Sequence, residues 1–128
     1  MVIGIGGLGH IALQCLRELS SAEVIAVDTA EESLRLAEAL GADGLIRGGE
    51  GAADRVEEAS GGDGVEAVLD FVGEHGTTEQ GPAMLRQGGT YFRDRLRRAG
   101  GDTGPDIHLS RDQCGGEPWS ATARSSAS

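Results

Sequence analysis

The first ten residues constrain the fold more than any other part of the chain. An apolar run, Met1-Val2-Ile3, leads into Gly4, Gly6 and Gly9, which fit the pattern G-x-G-x-x-G. In that pattern the first glycine allows a tight turn, the second lets backbone approach a phosphate, and the third lets helix and strand pack closely. Helical periodicity starts at once, and the residues predicted to share its buried face are Leu8, Ile11, Ala12, Cys15, Leu16 and Leu19. The positive end of that helix points back at the glycines, so we predict an anion site there.

A second apolar run ends in a carboxylate about 20 residues beyond the glycines, at the spacing typical of a dinucleotide site. Val24-Ile25-Ala26-Val27 closes in Asp28, which is placed to accept hydrogen bonds from the hydroxyls of an adenosine ribose. The same charge would repel a 2′-phosphate, and no arginine follows Asp28 closely, so NAD is favoured over NADP. Asp28 is also placed to cap the next helix, and the two roles are compatible.

Strands and helices alternate along the first 92 residues. Apolar runs predict four strands after the opening one, at residues 23–28, 42–46, 65–73 and from 88 onward, and helical patterns lie between them. A capping box at Thr29 and Glu32 begins the second helix and Gly41 ends it. The fourth helix is predicted to run to Arg86, delayed by Pro82. This order specifies an α/β doubly wound parallel sheet, Rossmann-like, with ligand at the carboxyl ends of the strands.

Composition narrows the class of protein. The chain has 128 residues and a formal net charge of −10, which indicates one small domain and excludes a nucleic-acid binder that needs a basic face. No signal peptide or membrane-spanning run is present, so a cytoplasmic location is expected. Cys15 and Cys114 lack the spacing of a zinc site or disulfide framework, and Cys15 is predicted to be a buried thiol on the helix face.

Several separated motifs resemble one family. The glycine turn, the run ending at Asp28, Leu-Gly-Ala-Asp at residues 40–43 and Leu-Asp-Phe-Val-Gly at residues 69–73 resemble the cofactor domain of zinc-dependent medium-chain alcohol dehydrogenases, over Val2 to about Phe92. The resemblance implies an NAD cofactor held by residues at three places. Gly6, Gly7 and Leu8 would face the pyrophosphate, Asp28 the ribose, and Phe71 and Val72 the adenosine side.

The chain departs from that family in what surrounds these motifs. The family has a larger catalytic domain before this stretch, with Cys, His and acidic zinc ligands, and we find no such ligand set or catalytic residue here. His10, His75 and His108 have no ligand partner at metal spacing. Such an enzyme needs zinc as its Lewis acid. Because the zinc ligands are missing from this sequence, we make no prediction that the chain alone is an enzyme.

Composition changes abruptly at residue 93. Residues 1–92 carry 5 arginines and 16 acids, whereas residues 93–128 carry 6 arginines and 5 acids without apolar periodicity. We predict a partial dinucleotide-binding domain over residues 1–92 and an irregular or disordered tail over 93–128, with the sheet truncated after about five strands. The break falls inside the fifth strand, which suggests a frameshift. Codons for Arg93 to Ala99 exist that, read one base later, spell Val-Ile-Gly-Tyr-Gly-Gly.

The tail has consequences for assembly and activity. In the resembled family the strand after Phe92 brings backbone to the nicotinamide, and later strands pair across the dimer. The resemblance therefore implies that this chain lacks the nicotinamide contact and the dimer strands. The edge of its sheet would then be exposed. The favoured hypothesis is an NAD(H)-binding domain fragment of a zinc-dependent alcohol dehydrogenase-like oxidoreductase, inactive alone. The alternatives are a stand-alone regulatory module that binds NAD or an adenine nucleotide and, more weakly, a methyltransferase. The sequence points to no substrate.

Overall fold

The fold is an open α/β sheet whose strands alternate with helices. A computed structural model of the chain describes residues 1–73, 77–93 and 107–110. The strands are β1 (Val2–Ile3), β2 (Ile25–Asp28), β3 (Gly44–Arg47), β4 (Val65–Asp70), β5 (Leu85–Arg93) and β6 (Ile107–Ser110). The helices are α1 (Gly9–Leu19), α2 (Glu31–Ala39), α3 (Ala52–Ala59) and α4 (Thr77–Ala83).

The strands form one sheet in the order β3-β2-β1-β4-β5-β6. The first five pair in parallel, which confirms the predicted doubly wound, Rossmann-like class. The strand order reverses between β1 and β4, because β2 and β3 lie on one side of β1, and β4 and β5 lie on the other. Such a switch point opens a crevice at the carboxyl ends of the strands. The glycine turn after β1 and the segment after β4 therefore meet at that crevice.

Two apolar clusters lie on the two faces of the sheet. One contains Ile3, Val27, Val68 and Tyr91 with residues of α3 and with Met84, which directly follows α4. The other contains Val2, Ile5 and Ala26 with Leu13 of α1 and Ala37 of α2. Neighbouring residues of β1, such as Val2 and Ile3, enter opposite clusters because side chains alternate along a strand. This two-sided burial is typical of parallel strands covered by helices on both faces.

The predicted buried face of α1 is wrong for most of its residues. Leu16 does pack, partly buried, against the core and Ala12 is half-buried, but the other four are exposed. Gly9 and Leu13 are the buried residues of the helix, whereas Ile11 and Leu19 are 49% and 85% exposed. The reason is that Gly9 must lie against the strand it follows, and this places Leu13, one turn later, on the same side. Ile11, two residues after Gly9, points away. Cys15 is consequently exposed rather than a buried thiol, and Cys114 lies outside the described residues.

The start of α2 also differs from its prediction, whereas its end does not. The N-cap is Ala30, without a side-chain hydrogen bond, so Thr29 and Glu32 form no capping box. The carboxylate of Asp28 takes over part of that role by accepting the amide of Ala30 at 2.8 Å. Gly41 ends the helix in a left-handed conformation with φ of 95°, as predicted.

The fourth helix is shorter, and the fifth strand longer, than predicted. The helix α4 ends at Ala83, and Leu85 already pairs with Val65. The next pair is Thr90 with Ala67, so a bulge absorbs the residues between Leu85 and Thr90. The apolar Leu85 therefore belongs to the strand, where it is 1% exposed. The capping prediction at Thr77 concerns a side chain outside the described residues.

One further strand lies in the region predicted to be irregular. Ile107–Ser110 pairs antiparallel with β5, from Thr90 opposite Ser110 to Arg93 opposite Ile107. Over that length the outer edge of β5 is paired, so the exposed edge expected from the sequence does not occur there. The remainder of the predicted tail, residues 94–106 and 111–128, lies outside the described residues, as does His75.

The first residue of the chain takes part in the sheet. The amine of Met1 donates to the carbonyl oxygen of Ala67 at 2.8 Å, in the position where an amide of a longer strand would donate. Burial lowers the pKa of this amine from 8.0 to about 6, because an ammonium loses hydration there. Near pH 7 the folded chain therefore favours the neutral amine.

This amine predicts a pH dependence of stability. Well below pH 6 the amine is protonated in both the folded and the unfolded chain, and well above pH 8 it is neutral in both. Between them the unfolded chain binds more protons, so the free energy of unfolding is expected to rise with pH, by about 2–3 kcal/mol in total. Urea unfolding from pH 5.5 to 8.5, on protein verified by mass to retain Met1, measures this rise.

The matched control is the same chain with an acetylated amino terminus. Acetylation replaces the titrating amine by an amide that keeps one donor toward Ala67, so the rise is expected to disappear while other titrations persist. An equal rise in both forms would assign the pH dependence to other groups.

Candidate functional site

The glycine turn is built from two close backbone approaches. Gly4 has φ of 84°, and a Cβ there would lie 2.6 Å from Cγ2 of Val72. A Cβ on Gly9 would overlap the carbonyl oxygen of Gly4. Gly4 is thus enclosed by the segment after β4 on one side and the start of α1 on the other, and only glycine fits at both positions.

The middle of the turn is open. Gly6, Gly7 and Leu8 are exposed, and a Cβ on Gly6 would have no atom within 4 Å. The amide of Gly9 donates to the carbonyl oxygen of Gly6 at 2.9 Å, which fixes the shape of the turn. The helix α1 has no side-chain cap and no acidic residue in its first turn. Its first amides, which lack acceptors within the helix, and its positive end are therefore left for an anion.

Asp28 connects the second strand to this turn. Its Oδ2 accepts the amide of Ile5 at 2.8 Å, and its Oδ1 accepts the amide of Ala30 at 2.8 Å. The turn is also bonded to the backbone of the same strand, because the amide of Gly4 donates to the carbonyl oxygen of Val27 at 2.8 Å. An ionised carboxylate has about four acceptor positions, so Asp28 retains capacity for two hydroxyl donors.

A cavity of about 240 Å³ lies beside these groups at the carboxyl edge of the sheet. Its walls come from β1, β2, the segment after β3, the segment after β4, and the end of α4. The lining residues are Ile3, Gly4, Val27, Asp28, Thr29, Gly48, Gly49, Val72, Gln80 and Met84. Apolar walls with one carboxylate at the rim suit a flat heterocycle attached to a sugar.

The predicted site residues fall into three groups. Gly4, Asp28 and Val72 line the cavity, and Gly6, Gly7, Leu8 and Gly9 form the turn beside it. Phe71 lies on the other face of the sheet, where it packs against the cluster that contains Ile5 and Leu13. It is 3.8 Å from the position of a Cβ on Gly9, so it contacts the start of α1 and not the cavity.

The sequence patterns did not predict the remaining cavity residues to be part of the site. Gly48 and Gly49 follow β3, so the rule that ligands bind at the carboxyl ends of parallel strands would have found them. Gln80 lies on α4 and Met84 directly follows it, and no local pattern indicates how this helix packs against the sheet.

An arginine lies closer to Asp28 than the sequence suggested. Parallel pairing places Arg47 directly beside Asp28 in the neighbouring strand, although 19 positions separate them in the chain. Its guanidinium is 3.9 Å from the carboxylate of Glu31, and both side chains are well exposed. The charge near the ribose position is therefore not set by Asp28 alone.

The described residues show neither a metal centre nor a membrane span. No group of three or more His, Cys, Asp or Glu side chains there is arranged to hold a metal ion. In the same part of the chain, no helix has the length and apolar character needed to cross a bilayer.

Comparison with known proteins matches most of the described chain to one family. The model of the family described as zinc-binding dehydrogenase matches residues 7–93. Among curated proteins, the NAD-dependent alcohol dehydrogenase of Sulfolobus acidocaldarius is 38% identical over 94 residues, covering 73% of this chain and 27% of that protein. The alcohol dehydrogenase of Geobacillus stearothermophilus is 38% identical over 90 residues, which are 70% of this chain and 26% of that protein.

Solved structures agree with this match. The alcohol dehydrogenase of Aeropyrum pernix superposes with a TM-score of 0.70 at 41% identity, covering 72% of this chain and 27% of that one. The alcohol dehydrogenase TADH of Thermus sp. ATN1 gives a TM-score of 0.69 at 30% identity, over 78% of this chain and 29% of that one. The chain thus spans about a quarter of the length of these relatives.

The turn predicts losses of stability of very different size for two glycine substitutions. Gly9→Ala is expected to lower the free energy of unfolding by about 3 kcal/mol or more, because its methyl group would overlap the Gly4 carbonyl. Gly6→Ala is the control, and should cost no more than about 1 kcal/mol because its methyl group enters open space. Urea unfolding measures both. Equal stabilities of the two variants would contradict the packing of α1 against the turn.

Proposed function

The chain belongs to the zinc-binding dehydrogenase family, and on that premise we propose that it is the NAD(H)-binding part of an alcohol dehydrogenase-like oxidoreductase. The observation that supports this most is the hydrogen bond between the Asp28 carboxylate and the Ile5 amide. It joins the predicted ribose acceptor to the predicted pyrophosphate turn, at the mouth of one cavity. Relatives whose names state NAD dependence share this stretch.

The pyrophosphate is proposed to lie over Gly6, Gly7 and Leu8. Open space at Gly6 lets an anion approach the backbone, and the uncapped start of α1 supplies amide donors and a positive dipole end. This local field matters because the chain as a whole carries a net charge of −10.

The adenosine is proposed to occupy the cavity behind Gly4. Val72 and Met84 offer apolar contacts to the base, and Asp28 accepts hydrogen bonds from the ribose hydroxyls with its two remaining acceptor positions. A 2′-phosphate would place two negative charges together, so NAD is preferred to NADP.

Bound NAD supplies the hydride acceptor of an alcohol oxidation, and the described residues supply its binding and orientation. They present no group of side chains suited to hold zinc, so we assign no catalytic residue and propose that the 128 residues alone do not oxidise alcohols. A cytoplasmic location and the assembly state remain predictions.

The second candidate is a stand-alone module that senses NAD or an adenine nucleotide. It is favoured because the glycine turn, the Asp28 carboxylate and the cavity proposed for adenosine all lie within residues 1–93. The gene context separates the two candidates. A preceding coding region for a domain with Cys and His zinc ligands favours the first, and a free-standing gene with a stable, tightly binding product favours the second.

The frameshift hypothesis gains support from where the family match ends. That match stops at residue 93, where the composition changes, and the chain contains no lysine or asparagine, which is typical of GC-rich coding sequences with few stop codons in wrong frames. The nucleotide sequence decides the matter. If codons 93–98 shifted by one base do not encode an apolar strand, the hypothesis is wrong.

Calorimetric titration of the full chain tests the proposal directly. NAD is expected to bind, NADP to bind more weakly, and Gly6→Ala to lose about tenfold or more in NAD affinity while staying folded, because its methyl group occupies the path of the pyrophosphate. The absence of heat with either nucleotide on a folded sample would rule out the binding role.

Substitution of Asp28 tests the ribose contact. Asp28→Ala is expected to weaken NAD binding by about 1–3 kcal/mol through loss of hydrogen bonds. Asp28→Asn is the matched variant, because an amide oxygen still accepts a hydrogen bond near Ile5, and removal of the charge beside Arg47 should narrow the preference for NAD over NADP. Unchanged affinities in both variants would remove Asp28 from the site.

A further inference from the structure

Asp70 is the buried acidic side chain of the described core. It ends β4 and is 1% exposed, and it is not among the residues that line the cavity. A carboxylate at such depth is costly unless its oxygens are well hydrogen-bonded. Its partners therefore indicate what the residue does.

The two oxygens of Asp70 bind different parts of the molecule. Oδ1 accepts the amides of Val72 at 2.8 Å and Gly73 at 2.9 Å. Oδ2 accepts the hydroxyl of Tyr91 on the neighbouring strand β5 at 2.6 Å. One oxygen thus holds the segment that leaves β4, and the other ties that segment to the sheet interior.

The segment held by Oδ1 forms one wall of the cavity. Val72 lines the cavity, and its Cγ2 would lie 2.6 Å from a Cβ on Gly4, so it packs directly on the first glycine of the turn. A shift of Val72 would change both the width of the cavity and the support of that turn.

We propose that Asp70 is a positioning residue for adenosine, which sets the place of Val72 through the two amides that its Oδ1 accepts. The proposal rests on the proposed function, because adenosine is the occupant of that cavity. Asp70 does not touch the nucleotide. Tyr91 satisfies the second oxygen and stabilises the carboxylate without reaching the cavity wall.

Three variants separate positioning from stability. Asp70→Leu removes the acceptor of both amides. Asp70→Asn keeps an oxygen for them and turns its amide group toward the Tyr91 hydroxyl, which can also accept. Tyr91→Phe removes the Oδ2 partner and leaves the Oδ1 contacts in place. A merely structural role predicts that affinity follows stability across all three.

The readouts are AMP and NAD affinity by calorimetry on the full chain, urea stability, and hydrogen exchange of the Val72 and Gly73 amides without ligand. Asp70→Leu is expected to weaken AMP and NAD by the same factor, about tenfold or more, and to speed exchange of both amides. Asp70→Asn should stay within about threefold of the original affinity, and Tyr91→Phe should lose stability with AMP affinity unchanged.

Each outcome decides one of the two proposals. If the unsubstituted chain binds AMP and NAD and Asp70→Leu binds both equally well, the positioning role is wrong and the proposed function stands. If affinity falls equally in Tyr91→Phe and Asp70→Leu, the role is structural and the inference is overturned. If the unsubstituted chain binds neither nucleotide, the proposed function fails, and unchanged amide exchange in Asp70→Leu would independently overturn the anchoring of Val72.

Discussion

The close approach of Gly9 to the Gly4 carbonyl is the constraint on which the rest of the site depends. Without a side chain at either position, the first helix can start directly against the strand that precedes it. That contact decides which face of α1 is buried, because Leu13 follows Gly9 by one turn. It also leaves the start of the helix uncapped and open at the sheet edge, where the dipole and free amides favour an anion.

Two carboxylates hold the segments on either side of this glycine contact in place. Asp28 links the second strand to the turn through the Ile5 amide, and Asp70 fixes the Val72 segment that packs on Gly4 from the other side. Both accept backbone amides at the carboxyl ends of strands, and they differ in exposure. Asp28 remains partly exposed with acceptor capacity to spare, whereas Asp70 is buried and fully engaged in holding the wall. On the proposed function, the same residue type would bind the ribose at one strand end and position the cavity wall at another.

The sequence predicted the parts of this structure that depend on local rules. The glycine spacing, the carboxylate at the end of β2, the helix stop at Gly41 and the alternation of strands and helices all follow from turn chemistry and periodicity. The family resemblance seen in these motifs is confirmed. Predictions failed where tertiary packing decides. The orientation of α1 exposes Cys15, and pairing with Val65 draws Leu85 into a strand. The hydroxyl that donates to Asp70 belongs to Tyr91, 21 residues away on β5, and no local pattern reveals this contact.

The most direct test of the central claim is a nuclear magnetic resonance titration of the isotope-labelled chain with NAD. Binding at the glycine turn and cavity predicts that the amide signals of Gly6 to His10, Thr29, Gly48 and Val72 shift together with one dissociation constant. The signals of Glu57 and Glu58, which lie on α3 away from the cavity lining, should stay in place. Shifts confined to residues outside the turn and the cavity, or no shifts on a folded chain at saturating NAD, would contradict the account.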